Sequence, residues 1–371
     1  MAETKAETFY AFVGMVTNPG KIFIKSVGCE NENGNSTVIC ESAKTFVEDI
    51  PKLFTSKFKA VIFYVSELQS PDFENSIEFC KAVKAQMNLI QIPHYFINTL
   101  DYIASGMLVK FNISLKLQGT VLLVIAGENV ALVNEFQFTE NGYENIRFDD
   151  VVINVKENLQ SIRDKIYGSS KPQKILVVYK NDGKPTADFL RKNIIKSKNV
   201  FMSDADFGSS NDKFVIERSK WLLDKSNTKY YVIPRCGKMF ALFAQFEMIP
   251  LITVNVTEKV PLEKSAYVSK VNGYIMLTYD KFLKKPEYTC LLKMKDACHR
   301  MKITLTVDAE SFPTLDYDLF EIHKVTQLPE TLNKKVAKKI PFVGFYDDCS
   351  VICVFNEKDN GYKFLDAWNG I

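Results

Sequence analysis

The chain has 371 residues, 46% of them hydrophobic and 25% charged, with a net charge of +3 at pH 7. These are the proportions of an ordinary globular protein, and a charge so small and dispersed excludes the electrostatic footprint of a nucleic-acid or anionic-membrane binder. Single cores rarely exceed about 250–300 residues, so the length predicts two domains.

The first residues, MAETKAETFY, carry neither a basic region nor an apolar run. No secretory signal is therefore expected, and the longest apolar stretches, such as Val121 to Ala126, have the length of strands rather than of membrane spans. Eight scattered cysteines without a signal read as reduced thiols, so a cytoplasmic protein is expected.

Tyr10 to Val16 and Lys21 to Val27 are β-rich runs joined by Asn18-Pro19-Gly20, which predicts a hairpin. Thr37 to Cys40 adds a short strand. Ser42 to Phe54 reads as a helix with Phe46, Val47, Ile50 and Phe54 on one face, its second half interrupted by Pro51. Ala60 to Val65 is a buried strand. The helix after it is expected to start at Ser70-Pro71, with Ser as the N-cap and Pro at the first helical position. Phe73, Ile77, Cys80, Lys84 and Met87 fall on one face of that helix. An extended segment and a second, small-residue helix (Ile97 to Gly106) follow.

Thr120 to Ala126 and Asn129 to Phe136 form a second hairpin-like pair. Val151 to Tyr167 reads as one amphipathic helix, with Val155, Leu159, Ile162 and Ile166 aligned. Lys174 to Tyr179 is a buried strand, after which Asn181-Asp182-Gly183-Lys184-Pro185 turns into a helix reaching Ile195. Asp212 to Lys225 is a further helix carrying Val215, Ser219, Leu222 and Leu223.

After about Ile249 the chain changes to short β-prone runs, from Leu251–Val256 to Ser350–Phe355. The alternation in Lys302-Ile303-Thr304-Leu305-Thr306-Val307 argues for an antiparallel β-sandwich. The domains expected are therefore 1–249, with lobes of roughly 1–110 and 111–249, and 250–371.

Four stretches carry a family likeness: VIFYVSELQSPDFENSIEFCKAVKAQMNL; INTLDYIASG; QKILVVYKNDGKPTADFLRKNI with SDADFGSSNDKFVIERSKWLLDKS; and LPETLNKKVAKKIPFVGFYDDCSVICVFNEKDNGYKF. With the order of elements, they resemble the seventy-kilodalton heat-shock chaperones and their actin-like relatives. The resemblance implies an α/β plus β fold: a reduced actin-like (ribonuclease-H-like) two-lobed domain, then a β-sandwich similar to the chaperones' peptide-binding domain. The chain departs from that layout: the two outer subdomains that wall the nucleotide cleft are expected to be trimmed or missing, as is the helical lid after the β domain.

An actin-like ATPase needs two glycine-rich phosphate hairpins, each with an aspartate near magnesium. The first hairpin has no acidic residue between Thr8 and Lys25, and only Gly14 and Gly20. The second offers Gly127 and Glu128 alone, and the adenosine loop has Tyr179-Lys180 where paired glycines belong, with Gly183 later. No catalytic, cofactor or metal residues are therefore assigned, and neither ATP nor magnesium is expected as a cofactor. The function expected is a degenerate, non-catalytic chaperone-like or adaptor protein that holds a protein or peptide ligand on its β domain. The alternative is a divergent ATP-binding chaperone with residual ATPase activity, its magnesium held by Asp101, Asp182 or Glu128.

Other chemistry-bearing residues read structurally. His94 lies in an extended segment, and Cys298-His299 with Cys290 lacks zinc spacing. Cys349 and Cys353 read as small buried residues. Asp204 and Asp206 read as helix-capping, and Lys334-Lys335 with Lys338-Lys339 as a solvated loop.

Overall fold

The expected opening hairpin is the centre of a sheet. The computed structural model describes residues 7–16, 20–29, 36–204, 212–244, 249–269, 274–280, 287–293, 298–321, 340–346, 349–358 and 361–369. By its internal contacts the chain forms two compact units, Met1–Gly237 and Lys238–Ile371.

In the first unit β1 (Phe9–Met15) and β2 (Ile22–Gly28) pair antiparallel, followed by β3 (Ser36–Cys40) and α1 (Ala43–Leu53). Ser42 Oγ accepts from the Thr45 amide and caps α1. Pro51 lies inside α1, two residues before its end, and removes the i→i−4 hydrogen bond its amide would have made. β4 (Phe58–Tyr64), α2 (Ser76–Ile90), β5 (His94–Phe96) and α3 (Thr99–Lys110) complete the first half. The sheet order is β3-β2-β1-β4-β5, with β1, β4 and β5 parallel.

The second half repeats this plan. β6 (Thr120–Gly127), β7 (Val130–Thr139) and β8 (Gly142–Val152) form an antiparallel meander. After α4 (Leu159–Tyr167) come β9 (Lys174–Tyr179), α5 (Lys184–Phe189), β10 (Val200–Asp204) and α6 (Asp212–Leu223). The order is β8-β7-β6-β9-β10, with β6, β9 and β10 parallel. Two mixed sheets of one order and one set of strand directions fit a two-lobed actin-like domain.

The period of two along a strand sends alternate residues to different cores. Leu122 and Val124 of β6, with Ile175 and Val177 of β9, pack under α4 and α5. Val121, Leu123, Leu176 and Val178 face the other way, into a core shared with Tyr10, Phe12, Ala60 and Ile62 of the first sheet. α6 follows the second sheet in sequence but packs on β1, β2, β4 and α3. Tyr102 of α3 and Phe214 of α6 meet edge-to-face at 5.1 Å, and both rings touch Phe12, at 5.6 and 6.1 Å.

Several expectations are corrected. α2 starts at Ser76, because Asn75 accepts from the amides of Ile77 and Glu78. Ser70 instead accepts from the Asp72 amide and closes a turn. Only the last part of 151–167 is helical: Val151 and Val152 finish β8, whose register on β7 wins, and Val155 and Leu159 are exposed. β10 was not foreseen.

The second unit is β throughout its described elements. They are β11 (Met239–Ala244), β12 (Ile252–Val254), β13 (Leu262–Ser269), β14 (Tyr274–Asp280), β15 (Glu287–Lys293), β16 (Cys298–Val307), β17 (Pro313–Glu321), β18 (Phe342–Tyr346), β19 (Cys349–Asn356) and β20 (Gly361–Asn369). They form antiparallel sheets ordered β12-β11-β14-β15, β13-β16-β17 and β18-β19-β20. The alternation read in β16 is present: Met301, Ile303, Leu305 and Val307 are buried. β11 pairs with β12 and β14, so this unit begins at Lys238 rather than at 250. Among the described residues no helix is long and apolar enough to cross a membrane.

Two substitutions probe this frame. Phe214→Ala is expected to cost about 3–5 kcal/mol by emptying the shared core, read from the urea midpoint. In Gly183→Ala the new Cβ collides with the Ala126 carbonyl, although Gly183 has an ordinary φ of −89°. The collision is with backbone, so a loss of about 2–4 kcal/mol is expected in the same measurement.

Candidate functional site

Three turns stand where a phosphate cradle would have to be built. In the first hairpin the ring of Phe23 lies against Gly14 and fills the space a Cβ would take; residues 17–19 of its turn lie outside the described residues. In the second, Asn129 adopts φ 55°, and its amide donates to Thr186 Oγ1 at 3.3 Å. A cradle needs main-chain amides that converge on the anion. Here that amide is already used by α5. In the third, Asn181–Gly183 forms a 3-10 turn whose Gly183 packs on Ala126 and Gly127. The second and third turns therefore close on each other.

The carboxylates of the ATPase alternative are not gathered. Glu128 and Asp182 are exposed on these two turns, whereas Asp101 is buried on α3. Among the described residues no group of three His, Cys, Asp or Glu side chains could hold a metal ion. His94 Nδ1 lies 2.9 Å from the Ile92 carbonyl, with its ring edge-on to Phe63 and Phe96. Asp204 ends β10 and is exposed. Asp206, the lysines at 334, 335, 338 and 339, and the side chains of Cys290, Cys298, His299, Cys349 and Cys353 lie outside the described residues.

The concentration of buried charge lies elsewhere, where α3 meets α6. Asn98 caps α3 through the Asp101 amide, and its Nδ2 donates to Asp101 Oδ2 at 2.8 Å and to the Arg235 carbonyl at 3.0 Å. Burial raises the Asp101 carboxyl from its ordinary 3.8 to about 7, against the opposing pull of Arg218, Asn98 and Arg235. Arg218 is 3% exposed. Its guanidinium carbon lies 4.3 Å from the Trp221 ring centre, 4.5 Å from Tyr95 and 4.8 Å from Tyr231. Nε, Nη1 and Nη2 are all buried without a hydrogen-bond partner, and so is Ser105 Oγ on the facing helix. At the N-terminus of α6, Asp212 pairs with Lys25 of β2. Sequence reasoning read this helix through its apolar positions and passed over Arg218. The nearby signal was aromatic: Trp221 three residues on, then Tyr230-Tyr231.

No family model matches the chain, and no curated protein matches it. Among solved structures it is similar to YeaZ from Pseudomonas aeruginosa at 9% identity, over 59% of this chain and 95% of that one, with a TM-score of 0.30. A Bacteroides thetaiotaomicron protein with an actin-like ATPase fold and unknown function matches at 9% identity over 55% and 93%, TM-score 0.29. The non-polymerisable quadruple mutant of pCBH ParM matches at 9% over 57% and 99%, TM-score 0.30. None of these three is a seventy-kilodalton chaperone, and overlaps this low carry no functional argument.

The buried carboxyl has a pH signature. In the fold Asp101 stays protonated to about pH 7, while in the unfolded chain it ionises near 3.8. Its contribution to stability is therefore full in acid and is lost as pH rises through 7. Asp101→Asn is expected to gain stability relative to the parent between pH 5 and 8, by roughly a few kcal/mol, in paired urea titrations.

Proposed function

We propose that this chain is a non-catalytic binding protein, chaperone-like or adaptor-like, that holds a protein or peptide ligand without a nucleotide cycle. The observation that carries this reading is the shared core: both sheets, α3 and α6 bury their side chains together through Phe12, Tyr102 and Phe214. A clamp working by nucleotide-driven opening would have to break that packing in each cycle. The closed second and third turns support the same reading. Cys29 and Cys40 are free thiols, which supports a cytoplasmic setting.

The ligand surface this reading favours is β8 rather than the β unit. β8 is an edge strand, and Ile146, Phe148 and Val152 point outward from it with 50%, 39% and 69% exposure. The start of that edge already accepts an extended segment: the Tyr143 amide donates to the Tyr231 carbonyl, and the Ile233 amide to the Tyr143 carbonyl. An extended peptide adding beyond Asn145 would gain main-chain hydrogen bonds and apolar contacts with Phe148 and Val152 on either side of Asp150. On the sheet β13-β16-β17 the outward positions Lys302, Thr304, Asp316 and Asp318 surround a single exposed ring, Tyr267, among the described residues.

The full chain is expected to suppress aggregation of a heat-denatured client in the absence of nucleotide. Phe148→Lys with Val152→Lys should remove most of that protection while leaving the melting temperature nearly unchanged. Calorimetry with ATP and magnesium should give no binding heat and no phosphate. Phosphate release, or protection that the double variant retains in full, counts against the proposal.

A further inference from the structure

β8 offers its edge in two parts. The start is covered by the chain itself: Tyr231 to Ile233 lies alongside as a parallel bridge, held by the amide and the carbonyl of Tyr143. Pro234 has no amide to continue the ladder, and the Arg235 side chain takes the next acceptor, its Nη2 donating to the Asn145 carbonyl at 2.5 Å. Ile146 is then the extra residue of a bulge, because Asn145 pairs with Phe136 and Arg147 with Glu135. Beyond the bulge the Ile153 amide donates to the Asn129 carbonyl at 2.8 Å, so every second residue back from Ile153 turns its main chain toward β7. Phe148, Asp150 and Val152 have the other phase. Their amides and carbonyls face the open edge, and their side chains share one face of the sheet.

Charge decides what such an edge accepts. Asp149 points to the opposite face and is engaged by Arg147, whose Nε donates to Oδ2 at 2.5 Å while its other nitrogens bond the Lys165 and Ile166 carbonyls. Asp150 is exposed and makes no hydrogen bond or ion pair among the described residues. A strand laid over Phe148 and Val152 strips water from the carboxylate between them. An apolar or acidic residue opposite Asp150 leaves that charge partly desolvated and unpaired. A lysine or arginine there pairs with it and lays an apolar stem along the neighbouring side chains. We propose that β8 takes an extended segment of a partner protein with the pattern apolar-x-Lys/Arg-x-apolar, its cation opposite Asp150. The pattern reads the same in both chain directions, and its five residues cover the roughly 13 Å of strand from Phe148 to Val152. The proposal rests on the binding-protein reading and names the chemistry of its ligand.

The test uses the full chain and three labelled, end-blocked peptides with the core Val-Thr-X-Thr-Val, where X is Lys, Gln or Glu, followed by fluorescence anisotropy. The Lys peptide is expected to bind at least about fivefold more tightly than the Glu peptide, with the Gln peptide between them. Asp150→Lys should reverse that order. Asp150→Asn, with the same shape and no charge, should level the three affinities, and it decides the matter should Asp150→Lys fail to fold. Equal binding of the three peptides to the parent chain overturns the proposal and leaves the edge to select by backbone and apolar contact alone. A Lys preference surviving both variants also overturns it and assigns the effect to other surface carboxylates. Either result, in a chain that still protects a client, sinks this inference alone. Binding of no peptide together with absence of protection sinks the reading beneath it.

Discussion

The first unit depends on one constraint: α6 is made after the second sheet but must be buried on the first. Its apolar side, with Phe214 and Val215, has no other core to enter, and Lys25 of β2 fixes its start through Asp212. Once α6 crosses, α3 is trapped beside it, and the rings of Phe12, Tyr64 and Tyr102 stack into a continuous layer, Tyr64 and Tyr102 at 4.5 Å. Burial of this kind is non-directional but close-packed, so the two halves cannot part without opening a void. The polar cluster follows from that crossing.

The same crossing explains why charge is buried at all. Arg218 lies one helical turn from Phe214 and so is carried inward with it. Three rings soften the cost, but they leave the guanidinium edge unsatisfied. Such a group is tolerated where the surrounding packing over-determines it, as the aromatic layer does here.

Much of the frame was legible in the sequence. β9 matches its expected bounds, the two hairpins fall where their β-rich runs put them, and Ser42 caps α1. The errors have local causes. Ser70-Pro71 has the composition of a helix start, yet its hydroxyl is spent on a turn, and Asn75 offers two amides a better acceptor. β8 mixes buried Tyr143 and Asn145 with exposed Ile146 and Phe148, so its alternation does not sort by hydrophobicity. Arg218 was invisible because Glu217 and Lys220 make its stretch look like a solvated face. Only the arrival of Tyr95 from β5 and Tyr231 from beyond α6 shows otherwise.

The two halves of the unit share a plan, and each ends in one helix, α3 after β5 and α6 after β10. A plan used twice would ordinarily yield two equivalent grooves. Because the terminal helices meet each other, it yields a single seam, to which each half contributes one wall. That seam exists once per chain, and neither half expressed alone could assemble it.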